Sequence, residues 1–249
     1  MDNDRYITMN SPFEIHGVPN ENGVIIVVDH ASNKIPAEVS LGLSPNLMTD
    51  HIAHDIGTSE IAKSMSQNSQ YIGFLGGFSR LLVDLNRYPD EPSVIPIMSD
   101  GVEIPGNQLD EKHRSQRLDD YYHPYHSRLK LLIGELKPRL LLSLHSFSPV
   151  LRTNKSVDRP WDIGILYNDY DQASKLAIQH LEYEGLKVGD QLPYSGKDLN
   201  ATMNRQAESI GQPYFGVEVR QDLISNETGQ QRFAEILQRT CDKVLSALA

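Results

Sequence analysis

Apolar positions along this chain fall into two alternating patterns. Short, nearly unbroken runs recur in "GVIIVVDH" (23–30), "QYIGFL" (70–75), "RLLVDL" (80–85), "RLLLSLH" (139–145), "WDIGILY" (161–167) and "YFGVEVR" (214–220). Runs of this length suit strands covered on both faces, where neither face tolerates the polar half of an alternating pattern. Between them lie stretches with apolar residues at helical spacing: 50–67, broken near Gly57; 110–136, one or two helices ending before Pro138; and 170–184, 200–210 and 227–248. Strands interleaved with helices predict an α/β fold, a three-layer α/β/α sandwich around a mixed, mostly parallel sheet. No linker or repeat interrupts the pattern, so residues 1–249 read as one domain. Ligands of such folds gather where the strands end.

Three of the predicted strands end on chemistry. Asp29 and His30 close the first, His145 closes "RLLLSLH", and Glu218 and Arg220 lie in "YFGVEVR". One histidine at a strand end is ordinarily a hydrogen-bonded boundary residue. Two of them, with the carboxylates of "HDIG" (Asp55) and "VEVR" (Glu218), supply donors suited to zinc or a similar divalent ion and leave a glutamate to take a proton from bound water. Strand alternation sets Val217 and Val219 on one face and Gly216, Glu218 and Arg220 on the other. In "FSRLLVDLNRYPDEP", Arg80, Asn86 and Arg87 offer two guanidinium groups and an amide, a combination that clamps a carboxylate. The competing reading makes Asp84 and Arg87 a turn ion pair and Asn86 a turn residue.

Charge narrows the partners. Thirty-three acidic residues against 23 Lys and Arg give a formal charge of -10, which argues against a nucleic-acid or anionic-membrane surface. The single Cys241 excludes an intrachain disulfide and a cysteine-rich metal knuckle, and fits a reducing compartment. Residues 1–20 contain Asp2, Asp4 and Glu14 and no apolar stretch of signal-peptide length, and no later run approaches the ~20 apolar residues of a membrane span. A cytoplasmic protein acting on a small molecule is the expectation, with its oligomeric state open.

Taken in order, "VVDHASNKIPAE", "HIAHDIGTSEIA", "FSRLLVDLNR", "VEIPGNQL", "YYHPYHSRL", "LLSLHSFSP", "PYSGKD" and "FGVEVRQDLI" resemble successive blocks of the N-formylglutamate amidohydrolase family. The "DLNR" block, the histidine after an apolar strand and the late glutamate are similar, more distantly, to aspartoacylase and the zinc carboxypeptidases. The resemblance implies their carboxypeptidase-like fold and a metal-dependent amide hydrolysis, most simply of N-formyl-L-glutamate to formate and glutamate. It implies His30 as first metal ligand, His145 as last, Glu218 as general base and then acid, and Arg87 with Asn86 as the holders of the substrate carboxylate. Arg80 is then a second donor to the oxyanion, and Arg220 a further substrate contact.

Two positions depart from the resembled patterns. Where carboxypeptidases place a glutamate three residues after the first histidine, this chain has Asn33. Asp55 is therefore the expected second ligand, with Asn33, His54 and His51 as alternatives. Relatives tend to carry a histidine near Gln206, so a substrate contact there would change specificity. One divalent ion, zinc foremost, is the expected cofactor. The alternatives are a deacylase for another N-acyl acidic compound and a non-catalytic carboxylate-binding homologue.

Overall fold

Nine strands and six α-helices follow one another in a computed structural model that describes residues 11–249. Asp2 and Asp4, used above to read the start of the chain, lie outside the described residues. The strands are β1 (Phe13–His16), β2 (Val24–Val28), β3 (Tyr71–Gly76), β4 (Met98–Ser99), β5 (Val102–Glu103), β6 (Leu140–Phe147), β7 (Ile163–Leu166), β8 (Val188–Asp190) and β9 (Tyr214–Arg220). The helices are α1 (Thr58–Met65), α2 (Glu111–Arg117), α3 (His123–Leu136), α4 (Gln172–Tyr183), α5 (Ala201–Gln206) and α6 (Glu227–Leu248).

Seven strands form one sheet in the order β1-β3-β2-β6-β9-β7-β8, and β4 pairs with β5 in a separate hairpin. The central strands β3, β2, β6 and β9 run parallel, while β1 and β7 join them antiparallel and β8 lies parallel to β7. All five residues of β2 and all six of β3 are buried, as strands covered on both faces require. Val24, Ile26, Val28, Leu142 and Val217 pack with α1, α4 and α6 on one side. Ile25, Val27, Leu141 and Tyr214 pack with α3, α5 and the 83–95 segment on the other. The three-layer sandwich is as the sequence predicts, a mixed and mostly parallel sheet between helices.

Several elements differ from expectation. The run "RLLVDL" forms no strand. Its residues 81–85 are buried, yet they turn through a loop in which Leu82 donates to the Ser79 carbonyl at 2.9 Å and Asp84 donates to the Val94 carbonyl at 2.7 Å. Loop carbonyls thus satisfy a buried backbone that a sheet would otherwise have to pair. Residues 50–57 are turn, and the helix begins only at Thr58 behind Gly57, whose φ of 84° suits glycine. Residues 110–136 are one helical stretch, α2 and α3 joined by a π-turn at Leu118–Tyr122. β1 and β8 carry no sequence signal: "FEIH" is half-buried throughout, and "VGD" is three residues long. No helix among the described residues is long and apolar enough to cross a membrane.

Candidate active site

The C-terminal ends of β2, β6 and β9 open onto one cavity of about 160 Å³. The register explains the convergence, because His145 of β6 lies directly beside Glu218 of β9. The polypeptide after β2 carries Asp29 and His30 to the same edge. Asp55 arrives from the following loop: its N–H donates to the His30 carbonyl at 2.9 Å, and its own carbonyl accepts from Thr58 Oγ1 at 2.7 Å. Local backbone bonds therefore fix this carboxylate beside a histidine 25 residues away.

His30, Asp55 and His145 form a buried group whose donor atoms all lie within 4.8 Å of one another, a set able to hold a metal ion. His30 Nδ1 and His145 Nδ1 both face Asp55 Oδ2, at 3.3 Å and 2.8 Å. Their other ring nitrogens are turned to further carboxylates, His30 Nε2 to Asp84 Oδ1 at 2.8 Å and His145 Nε2 to Asp29 Oδ2 at 3.5 Å. Metal-binding histidines are oriented in this manner by a carboxylate on the far nitrogen. Asp84 is itself fixed by the Asn86 N–H at 3.0 Å and Arg80 Nη2 at 2.8 Å, and Asp29 by the Tyr125 hydroxyl at 2.7 Å.

The electrostatics follow from this packing. Burial opposes ionisation of Asp84, but Arg80 and His30 outweigh it and hold the carboxyl far below its usual range. Burial likewise opposes the charged form of His145, and contacts with Asp29 and Asp55 overcome it, raising its pKa well above the ordinary value. Glu218 goes the other way. Burial raises its pKa from 4.5 to about 7 despite the nearby His145 charge, and its Oε2 is buried without a hydrogen-bond partner among the described residues. A carboxylate with this affinity for a proton, beside a candidate metal site, is suited to proton transfer near neutral pH.

The candidate carboxylate clamp partly assembles. Arg80, Asn86 and Arg87 all line the cavity. Arg80 is engaged, with Nη2 on Asp84 and Nη1 3.5 Å from Asp55 Oδ1. Arg87 is less committed, its Nε standing 3.9 Å from Asp84 Oδ2. Asn86 Oδ1 accepts from the Thr202 N–H at 3.0 Å, which ties the clamp to α5. The ion pair of the competing reading thus exists only loosely, and Asp84 serves His30 more closely than Arg87.

Other expected contacts are not brought to the site. Arg220 does not line the cavity; Asp222 holds its Nε at 2.8 Å and Asp162 lies 3.6 Å from Nη1. As the last residue of β9, it meets acids on the neighbouring loops before it can reach a ligand. His51 lines the cavity, but Asp50 and Asp100 engage its two nitrogens at 2.7 Å and 3.1 Å. Asn33 and His54 belong to neither the metal-competent group nor the cavity lining. Gln206 is buried under α3, donating to the His126 carbonyl at 3.2 Å, and is likewise absent from the lining. Gln206 itself is therefore no part of the cavity wall. Sequence reasoning missed the anchoring role of Asp84 and Asp29, and missed Tyr194 and Leu199 in the wall. Asp29 had a usable signal, since it directly precedes His30.

Known proteins share the sequence pattern and the fold. The family model of N-formylglutamate amidohydrolase matches residues 22–225. The crystal structure of the gene product Atu2144 from Agrobacterium tumefaciens is similar with a TM-score of 0.91 at 31% identity, covering 98% of this chain and 99% of that one. That of N-formylglutamate amidohydrolase from Ralstonia eutropha JMP134 shares the fold, with a TM-score of 0.75 at 15% identity over 95% of this chain and 97% of that one. A search of curated proteins returned no match.

Proposed function

The chain belongs to the N-formylglutamate amidohydrolase family, whose members are amide-bond hydrolases, and from that premise we propose that it is a metal-dependent deacylase of N-acyl amino acids, N-formyl-L-glutamate first among them. The observation that carries the proposal is the pair of imidazole nitrogens turned to one Asp55 oxygen, with far nitrogens on Asp84 and Asp29 and with Glu218 beside them. These residues fit a divalent ion: two nitrogen donors and one oxygen donor favour zinc. His30, Asp55 and His145 would hold it, and when bound it would polarise the amide carbonyl and acidify a water.

Each remaining role falls to a side chain. Arg87 and Asn86 bind the substrate carboxylate and so place the amide over Glu218. Glu218 accepts a proton from the attacking water through its unpartnered Oε2 and returns it to the amide nitrogen as the C–N bond breaks. Formate and the free amino acid leave. Arg80 lends charge to the developing oxyanion while its hydrogen bonds hold Asp84 and Asp55 in place. We take the compartment to be the cytoplasm, which the single, buried Cys241 fits.

The test is a double-mutant cycle on the clamp. Arg87→Ala is expected to cost about 2–5 kcal/mol in kcat/KM for an N-formyl amino acid and much less for its carboxamide, which offers no carboxylate. Arg87→Lys should recover little of the loss, because lysine presents a point charge in place of a fork. Equal losses on acid and amide would remove Arg87 from substrate recognition.

A further inference from the structure

Between β6 and β7 the chain makes a loop that is tied at its neck and exposed along most of its length. Ser148 and Arg159, both buried, stand at its two ends, and Arg159 Nη1 donates to the Ser148 carbonyl at 3.1 Å. The guanidinium packs against the Tyr194 and Phe147 rings, 5.0 Å and 5.9 Å from their centroids, so the neck is fixed to the sheet. Residues 152–158 are all exposed. Among the described residues, 149–158 take part in no backbone–backbone hydrogen bond. A loop with so little buried packing and no backbone pairing opens at low free energy unless side chains hold it.

Asp100, at the turn of the β4–β5 hairpin, supplies the hold. Its Oδ2 accepts from the Arg152 N–H at 2.8 Å, and its Oδ1 accepts from the Thr153 N–H at 3.0 Å and the Thr153 hydroxyl at 2.7 Å. Burial opposes its ionisation, but these bonds outweigh it and lower its pKa to about 2. The acceptor is therefore a carboxylate at neutral pH, and bonds to a carboxylate are roughly twice as strong as those to a neutral group. Asp50 adds an ion pair with Arg152 Nη2. His51 joins the two acids, with Nδ1 2.7 Å from Asp50 Oδ1 and Nε2 3.1 Å from Asp100 Oδ2. Both His51 and Leu151, the residue before the held pair, line the cavity at the sheet edge.

We infer that residues 149–158 are a lid on this cavity, hinged at Ser148 and Arg159 and latched shut by Asp100. With the latch made, Leu151 closes part of the wall; released, the loop swings on its tied neck and opens the cavity to solvent and to its ligand. A lid of this kind sets the rate of entry and departure and keeps bulk water from the buried groups beneath it. This control of access is independent of which ligand the cavity takes.

The test reads opening by iodoacetamide labelling of a thiol introduced on the lid, in Leu151→Cys, or elsewhere in the cavity wall, in Leu199→Cys; the native Cys241 is fully buried and stays silent. Asp100→Gly removes the latch, and glycine suits the φ of 40° at that position. Thr153→Val removes one of its bonds from the lid side. Asp100→Gly should speed labelling of both introduced thiols by about tenfold or more, and Thr153→Val by less, because labelling follows the open population. Amide hydrogen exchange should quicken in 149–158 and the hairpin and stay unchanged in β2, β6 and β9. Labelling rates indifferent to Asp100 would overturn the latch. Faster labelling in Leu151→Cys alone would mark a loose loop that guards nothing, and faster exchange across the whole sheet would make Asp100 a general support of the fold; either result refutes the lid.

Discussion

Burial and basicity meet at Glu218. Withdrawn from water among the β6 and β9 side chains, it binds its proton more tightly than a free glutamate, with a pKa raised from 4.5 to about 7. Glu218→Gln keeps the shape and removes the base, so turnover should fall roughly 100-fold or more with metal content unchanged. Activity surviving near the wild-type level would assign the base elsewhere. The raised pKa also has a stability consequence in metal-stripped protein. A group whose folded pKa is raised contributes fully below its unfolded pKa and loses that contribution as pH rises through the folded value. Between pH 4.5 and 8, the unfolding free energy of Glu218→Gln should therefore gain on wild type by up to roughly 3 kcal/mol. Denaturant titrations at the two pH values check it; a constant difference would show that Glu218 is not held protonated.

Asp84 shows the limit of residue-scale reading. The sequence offers it only as a turn partner of Arg87, because His30 lies 54 residues away and only the folded loop brings the two to 2.8 Å. Asp84→Asn should weaken metal binding roughly 10–100-fold in a chelator competition, since the carboxylate that orients His30 is lost. Unchanged affinity would reduce Asp84 to a partner of Arg80.

At the scale of elements, the strands that carry the site were legible because each is an apolar run that stops at a polar residue. His30, His145 and Glu218 could be placed at one sheet edge without coordinates, and Asp55 could be chosen over Asn33 once a carboxylate was required. "RLLVDL" misled because burial alone makes a run apolar, whether its backbone is paired by a strand or by loop carbonyls. Arg220 misled because alternation assigns a face and says nothing of the acids on neighbouring loops. Gly57 was legible as a break, and the fold adds its reason: at φ 84° it turns the chain from Asp55 into α1, and a Cβ there would meet the Ile224 carbonyl oxygen at 2.3 Å. Gly57→Ala should thus destabilise the protein by about 2 kcal/mol or more and lower metal occupancy with it, because Asp55 is two residues away. Thermal unfolding and elemental analysis measure the two together. A stable variant with full occupancy would show that the turn does not position Asp55 for a metal.

For the whole molecule, buried acids and bases meet at one end of the sheet. Asp29, Asp55, Asp84 and Glu218 face His30, His145, Arg80 and Arg87 at the end of the sheet, within a chain of formal charge -10. Parallel strands contributed from distant parts of the sequence make this possible, since each delivers its last residues to the same edge. As proposed above, this cluster holds a metal and hydrolyses an amide. The most direct measurement of this is formate release from N-formyl-L-glutamate during zinc titration of chelator-stripped protein. Stripped protein should show no turnover, recovery should level off at about one equivalent of zinc per chain, and His30→Ala should show no such recovery. Full turnover by the stripped protein, or recovery that does not depend on His30, would contradict the proposal.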